Sequence, residues 1–123
     1  MDARAVEAEK MKARRIAAMA GVLCLAAACS EGTPDDPQAA RVRQGRAAYQ
    51  ADCAACHNPD PTQPGAVAPE IAGSSLELLT AKVLRNEYPP GYAPKRDTQG
   101  MFALVHREPD LPALEAYLGS FPR

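Results

Sequence analysis

Cys53-Ala54-Ala55-Cys56-His57 concentrates more reactive chemistry than any other stretch of this 123-residue chain. Two thiols three positions apart, followed at once by an imidazole, match the attachment pattern for haem. Each thiol forms a thioether with the porphyrin, and the imidazole takes the fifth iron position. On a helical turn, positions three apart share a face, which suits two attachment points on one edge of a flat macrocycle. Other chemistries use parts of the same stretch. Cys-x-x-Cys is also a thioredoxin-like redox motif, but that site opens a helix within a strand-helix-strand unit, and no such alternation is visible here. Zinc needs four ligands, and beyond these three the chain offers only His106, its carboxylates and the early Cys24 and Cys29. A Cys53–Cys56 disulfide in an oxidising compartment is a further possibility, and it leaves His57 without a role.

An iron held by His57 has a sixth position, and Met101 is the candidate for it. It is the only methionine beyond Met19 and lies 44 residues after His57 and nine before Asp110. His/Met ligation is usual in electron-transferring c-type cytochromes and raises the reduction potential relative to His/His. His106 is the rival sixth ligand. With neither bound, the site is open to small ligands.

These residues need elements to position them. Ala39 to about His57 is rich in helix formers, interrupted by Gly45, which suggests a close crossing by another helix; Tyr49 shares its face. Asn58 to Pro69, with four prolines and Gly65, is a loop. Ser74 or Ser75 caps a helix to about Asn86, with Leu76, Leu79, Val83 and Leu84 as its apolar stripe. Tyr88 to Pro94 is a loop whose tyrosine hydroxyls are candidates to bond haem propionates. Thr98 is a candidate cap for a short helix through Met101 and His106. Asp110 is expected to cap the last helix, Leu111 to Leu118, with Pro112 in its first turn and Gly119 at its end. Its buried face is Leu111, Leu114, Tyr117 and Leu118.

Gly45 and Tyr49 ahead of Cys-x-x-Cys-His, with Leu114 and Tyr117 on a C-terminal helix, give the chain a pattern that resembles the class I c-type cytochromes, from Ala39 to Phe121. The resemblance implies an all-α fold: about four short helices wrapped round one covalently attached haem c, with the N- and C-terminal helices crossing. It also implies that the Pro69 carbonyl holds the other imidazole nitrogen of His57, a contact that sets the ligand's orientation and basicity. Met101 sits where the family has its axial methionine, although Phe102 follows it where the family often has proline.

Composition fits one small domain. With 46% hydrophobic residues but only two Phe and four Tyr, burial of a large apolar cofactor supplies core that the chain lacks. Lys10, Lys12, Arg14 and Arg15 followed by the apolar run Ile16 to Ala28 read as an export signal over residues 1–28, too short to span a bilayer as a mature helix. Met11 makes a cleaner start for that signal than Met1. The run ends Leu25-Ala26-Ala27-Ala28-Cys29, which resembles a bacterial lipobox with its leucine one place early. Lipidation of Cys29 is the favoured expectation, and ordinary small-x-small cleavage the alternative. Residues 29–38 then form a flexible tether, and 39–123 the cytochrome c domain. From Cys29 onward, nine Lys and Arg stand against twelve Asp and Glu, which argues against a nucleic-acid partner. Lys82, Arg85, Lys95 and Arg96 are candidates to steer docking at a haem edge, with scattered surface charge the plainer account.

The expected function is one-electron transfer, without enzymatic activity of its own and without a small-molecule substrate. The setting is the periplasm, at the membrane surface through Cys29, with redox proteins as partners. Two alternatives stand beside it: a haem-based sensor or gas-binding module with an open sixth site, and the haem subunit of a larger oxidoreductase.

Overall fold

The computed structural model describes residues 36–97 and 100–122. The signal segment, Cys24, the Cys29 anchor and the Thr98 cap lie outside the described residues. Those described are helical, with no strand among them, and none of their helices is long and apolar enough to cross a membrane.

Helix α1 runs Pro37–Asp52. It starts two residues before Ala39 because Asp36 and Pro37 form a strong start signal. The Asp36 carboxylate accepts from the Gln38 amide at 2.9 Å, and proline at the first position gives up no helical donor. The expected single helix to His57 is broken at Cys53, whose φ of −108° tilts the chain into a separate turn, α2, Ala54–His57. Backbone pairing survives the break: the Cys53 amide still donates to the Tyr49 carbonyl, and the His57 amide to that of Cys53.

After the loop, α3 spans Leu76–Leu79 and is capped by Ser75, whose Oγ accepts from the Leu78 amide. It does not continue as α-helix to Asn86. A wider π turn follows at Thr80–Leu84. The Thr80 hydroxyl donates to the Leu76 carbonyl at 2.7 Å, a local bond of the kind that bends helices. The extra residue shifts the buried stripe to Leu79, Ala81 and Val83 and leaves Leu76 exposed.

Met101 to Leu104 has no regular structure; a 3₁₀ helix, Val105–Asp110, follows and leads into α4, Leu111–Gly119. Asp110 stands at the N-cap position of α4 but its side chain makes no cap bond there. Its two oxygens are taken by Gln44 and Arg107 instead. Gly119 closes α4 without a left-handed turn, and Ser120 caps it by donating to the Tyr117 carbonyl.

The core lies where α1 meets α4. A Cβ on Gly45 would collide with the Ala113 carbonyl and come within 2.8 Å of the Tyr117 Cβ, so the glycine permits the helices' contact distance. Tyr49, Leu114 and Leu118 are fully buried beside it. The Tyr49 and Tyr117 rings tilt together at 5.5 Å, and Phe121 meets Tyr117 edge-on at 5.1 Å. At roughly 1.5–3 kcal/mol for each large apolar side chain buried, this crossing supplies most of the cohesion among the helices.

Candidate functional site

One cavity gathers most of the residues whose chemistry stood out in the sequence. Cys53, Cys56, His57, Pro69, Met101, Lys82, Lys95, Tyr88 and Tyr92 all line it. Its floor is the core itself: Tyr49, Leu114 and Leu118 from the helix crossing, with Leu79 and Val83 from α3 and its π turn.

The thiols come to it from the break at the end of α1. Both are free; Cys53 is half-buried and Cys56 exposed. Burial, reinforced by the neighbouring Asp52 carboxylate, pushes the Cys53 thiol up to about 11, so it stays protonated at neutral pH. A thioredoxin-like nucleophile depends on the opposite shift. Among the described residues, no group of three or more His, Cys, Asp and Glu side chains is placed to hold a metal ion.

His57 is fixed from two sides. Its Nδ1 lies 2.8 Å from the Pro69 carbonyl oxygen. A carbonyl only accepts, so Nδ1 carries the proton here, and in the neutral ring Nε2 is the nitrogen with the lone pair. The backbone of the same turn is held by the buried Tyr49 hydroxyl, which donates to the Asn58 carbonyl at 2.6 Å. Burial raises the Tyr49 hydroxyl well above the ordinary tyrosine range, so it remains a donor. Asn58 turns the chain away at φ 77°, a positive value that asparagine tolerates better than most residues. Gly65 packs against the Cys56 carbonyl with no room for a Cβ, and its amide is held by the Ala68 carbonyl at 2.8 Å. The proline-rich loop thereby lies directly on the Cys53–His57 turn and brings Pro69 to the ring.

Met101, half-buried, also lines the cavity, from 44 residues beyond His57, with Phe102 beside it at 71% exposure. His106 does not line the cavity. Its Nε2 lies 2.9 Å from Oδ2 of Asp52, a residue of the cavity wall, so the rival to Met101 is engaged by that carboxylate.

The remaining cations divide. Lys82 reaches the cavity with its ammonium 4.1 Å from the Tyr88 ring centre, and that ring stacks on Tyr92 at 5.3 Å. Lys95 also lines the cavity and pairs with Glu70 at 3.1 Å. Arg96 donates to the Gly65 carbonyl, and Arg85 pairs with Glu87 away from the cavity. The four do not form one ring of charge.

Sequence reasoning missed three contributors: the Tyr49 hydroxyl, the Gly65 contact, and Asp52 with its partners Arg107 and His106. Only a glycine among four loop prolines gave any signal. Searches against family models, curated proteins and solved structures each return no match to the chain, so the chemistry of the site rests on its own residues.

Proposed function

We propose that this chain holds one covalently attached haem and carries single electrons. The observation that carries the reading is the His57 arrangement. An imidazole directly after two free thiols has its Nδ1 proton directed at the Pro69 carbonyl, which leaves Nε2 as the nitrogen to face a metal, on a cavity that Met101 also lines.

The donor set suits the group. Cys53 and Cys56 would hold it by thioethers, and His57 and Met101 would be its axial ligands. Tyr88 and Tyr92 hydroxyls are available to its carboxylates. When bound, haem supplies an iron that gains and loses one electron. The chain's own work is to fix and to exclude. Pro69 and Tyr49 hold the imidazole and its turn, so little rearranges when charge changes. Leu79, Val83, Leu114 and Leu118 keep water from the cavity floor. Val67, Tyr88 and Phe102, exposed at the mouth, offer an apolar edge to a redox partner. This reading has the cytochrome c architecture, a periplasmic setting with the Cys29 anchor, and no substrate chemistry.

The test is the absorption spectrum of the haem-matured protein in both oxidation states. A weak far-red ferric band marks methionine sulfur on iron, and Met101→Ala is expected to remove it while His106→Ala leaves it. A parent without that band, whose ferrous form is high-spin and takes up carbon monoxide readily, would replace the electron carrier with a gas-binding module.

A further inference from the structure

We infer that Asp52 and Arg107 are positioning residues for the Met101 segment, fastening it to the same helix end that presents Cys53, Cys56 and His57. The inference rests on the haem reading above.

Residues Met101 to Leu104 form no helix, so their own hydrogen bonds do not fix them. Two ties hold the segment. The Leu104 amide donates to the Val83 carbonyl at 2.6 Å, inside the π turn that lines the cavity. The second tie is ionic. Arg107 donates through Nε to Asp52 Oδ2 at 2.5 Å and through Nη1 to Asp110 Oδ2 at 2.9 Å, while its own amide holds the Leu104 carbonyl at 2.9 Å. His106 Nε2 meets the same Asp52 oxygen, and Gln44 of α1 holds the other oxygen of Asp110. The chain from Asp52 through Arg107 to Leu104 and Val83 thus fastens the segment at its C-terminal end, where the Leu104 amide and carbonyl are both held. Arg107 and both carboxylates are only 20–27% exposed, so the pairs are partly shielded from solvent and salt.

Asp52 is also the wrong charge for its place as far as α1 is concerned. It ends the helix, where the backbone dipole is negative and a carboxylate is unfavourable. Nothing within α1 compensates it. Its partners come from 54 and 55 residues away, on the element that follows Met101. The carboxylate that precedes Cys53 therefore couples the attachment turn to the segment carrying the other axial ligand.

A clasp of this kind sets how often the segment lifts and frees the sixth position. An added ligand binds only that open state, so its apparent affinity scales with the open fraction. The probe is imidazole, titrated into the ferric holoprotein and followed by loss of the far-red band. Asp52→Asn and Arg107→Gln are each expected to raise the apparent imidazole affinity about tenfold, the loss expected for one charge-assisted hydrogen bond. Arg85→Gln, which breaks an exposed pair away from the cavity, is expected to leave it within twofold. Hydrogen exchange gives a second readout: the Leu104 amide is expected to exchange at least fivefold faster in both clasp variants, with the Leu114 and Leu118 amides unchanged. A parent with the band whose Asp52→Asn and Arg107→Gln variants keep parental imidazole affinity and Leu104 exchange overturns the clasp and leaves the haem reading standing. A parent without the band overturns both.

Discussion

At the α1–α4 crossing, Tyr49, Leu114 and Leu118 are fully buried and Gly45 leaves no space between the helices. Across the cavity, the Met101 segment has a half-buried thioether, an exposed Phe102, one backbone bond to Val83 and a clasp of charged side chains. Both regions face the same cavity, yet one is held by apolar packing and the other by a few polar ties. Packing resists any change of shape, because each displaced atom loses many contacts at once. Polar ties open one at a time. The helix crossing beneath Cys53, Cys56 and His57 is therefore rigid by construction, and the Met101 segment is the one able to yield.

The contrast is broken most sharply by emptying the crossing. Leu118→Ala is expected to cost about 3 kcal/mol, a buried-leucine cavity, seen as a lower urea midpoint with an unchanged slope. A loss under about 1 kcal/mol would mean that the crossing is no tighter than the Met101 side. Overfilling tests the same place from the other direction. Gly45→Val drives a side chain into the Ala113 carbonyl and is expected to destabilise by about 2–3 kcal/mol, whereas Gly119→Ala, with open space around its Cβ position and away from the cavity, changes the midpoint little.

Tyr49→Phe sharpens the comparison at the boundary between the two regions. It keeps the buried ring and removes the donor to the Asn58 carbonyl, so about 1 kcal/mol is expected to go. A larger relative change should appear in the exchange of the Asn58 and His57 amides than in the melting of α4.

The smallest effect is the acid response of the polar side. Bonds from Arg107, with those from His106, hold the Asp52 carboxyl below its ordinary range; Gln44 first and then Arg107 do the same for Asp110. Lowered carboxyls contribute stability above the unfolded value of about 4, and that contribution is lost as pH falls through the lowered values. The Leu104 amide is thus expected to lose protection below about pH 4, before the Leu118 amide does. In Asp52→Asn the pH dependence of Leu104 protection should flatten; equal acid sensitivity at both amides would put the two regions on the same footing.

Legibility followed the same division. The buried face Leu111, Leu114, Tyr117 and Leu118 was readable because a 3.6-residue repeat imposes it, and Gly45 was readable because a mid-helix glycine costs stability without a close neighbour to justify it. The contact between His57 and Pro69 lies twelve residues apart along the chain, and it entered the reading only through the family resemblance. The π turn at Thr80–Leu84 was not legible, since Leu76, Leu79, Val83 and Leu84 fit an α-helical stripe equally well. Asp110 was expected to cap α4 by its position alone. Its carboxylate went to Arg107 and Gln44, which local sequence does not bring near.

What the sequence determined by itself was local chemistry: two thiols and an imidazole at fixed spacing, a helix start at Ser74 or Ser75, and apolar faces set by periodicity. Each depends on residues within a turn or two, whose relative positions the backbone geometry dictates. Only the tertiary structure decided that Met101 reaches the cavity and His106 does not, and that Asp52 meets Arg107. Those outcomes depend on how a π turn, a 3₁₀ helix and a helix crossing rotate distant segments against one another, and a single-residue shift in any of them turns a different side chain inward.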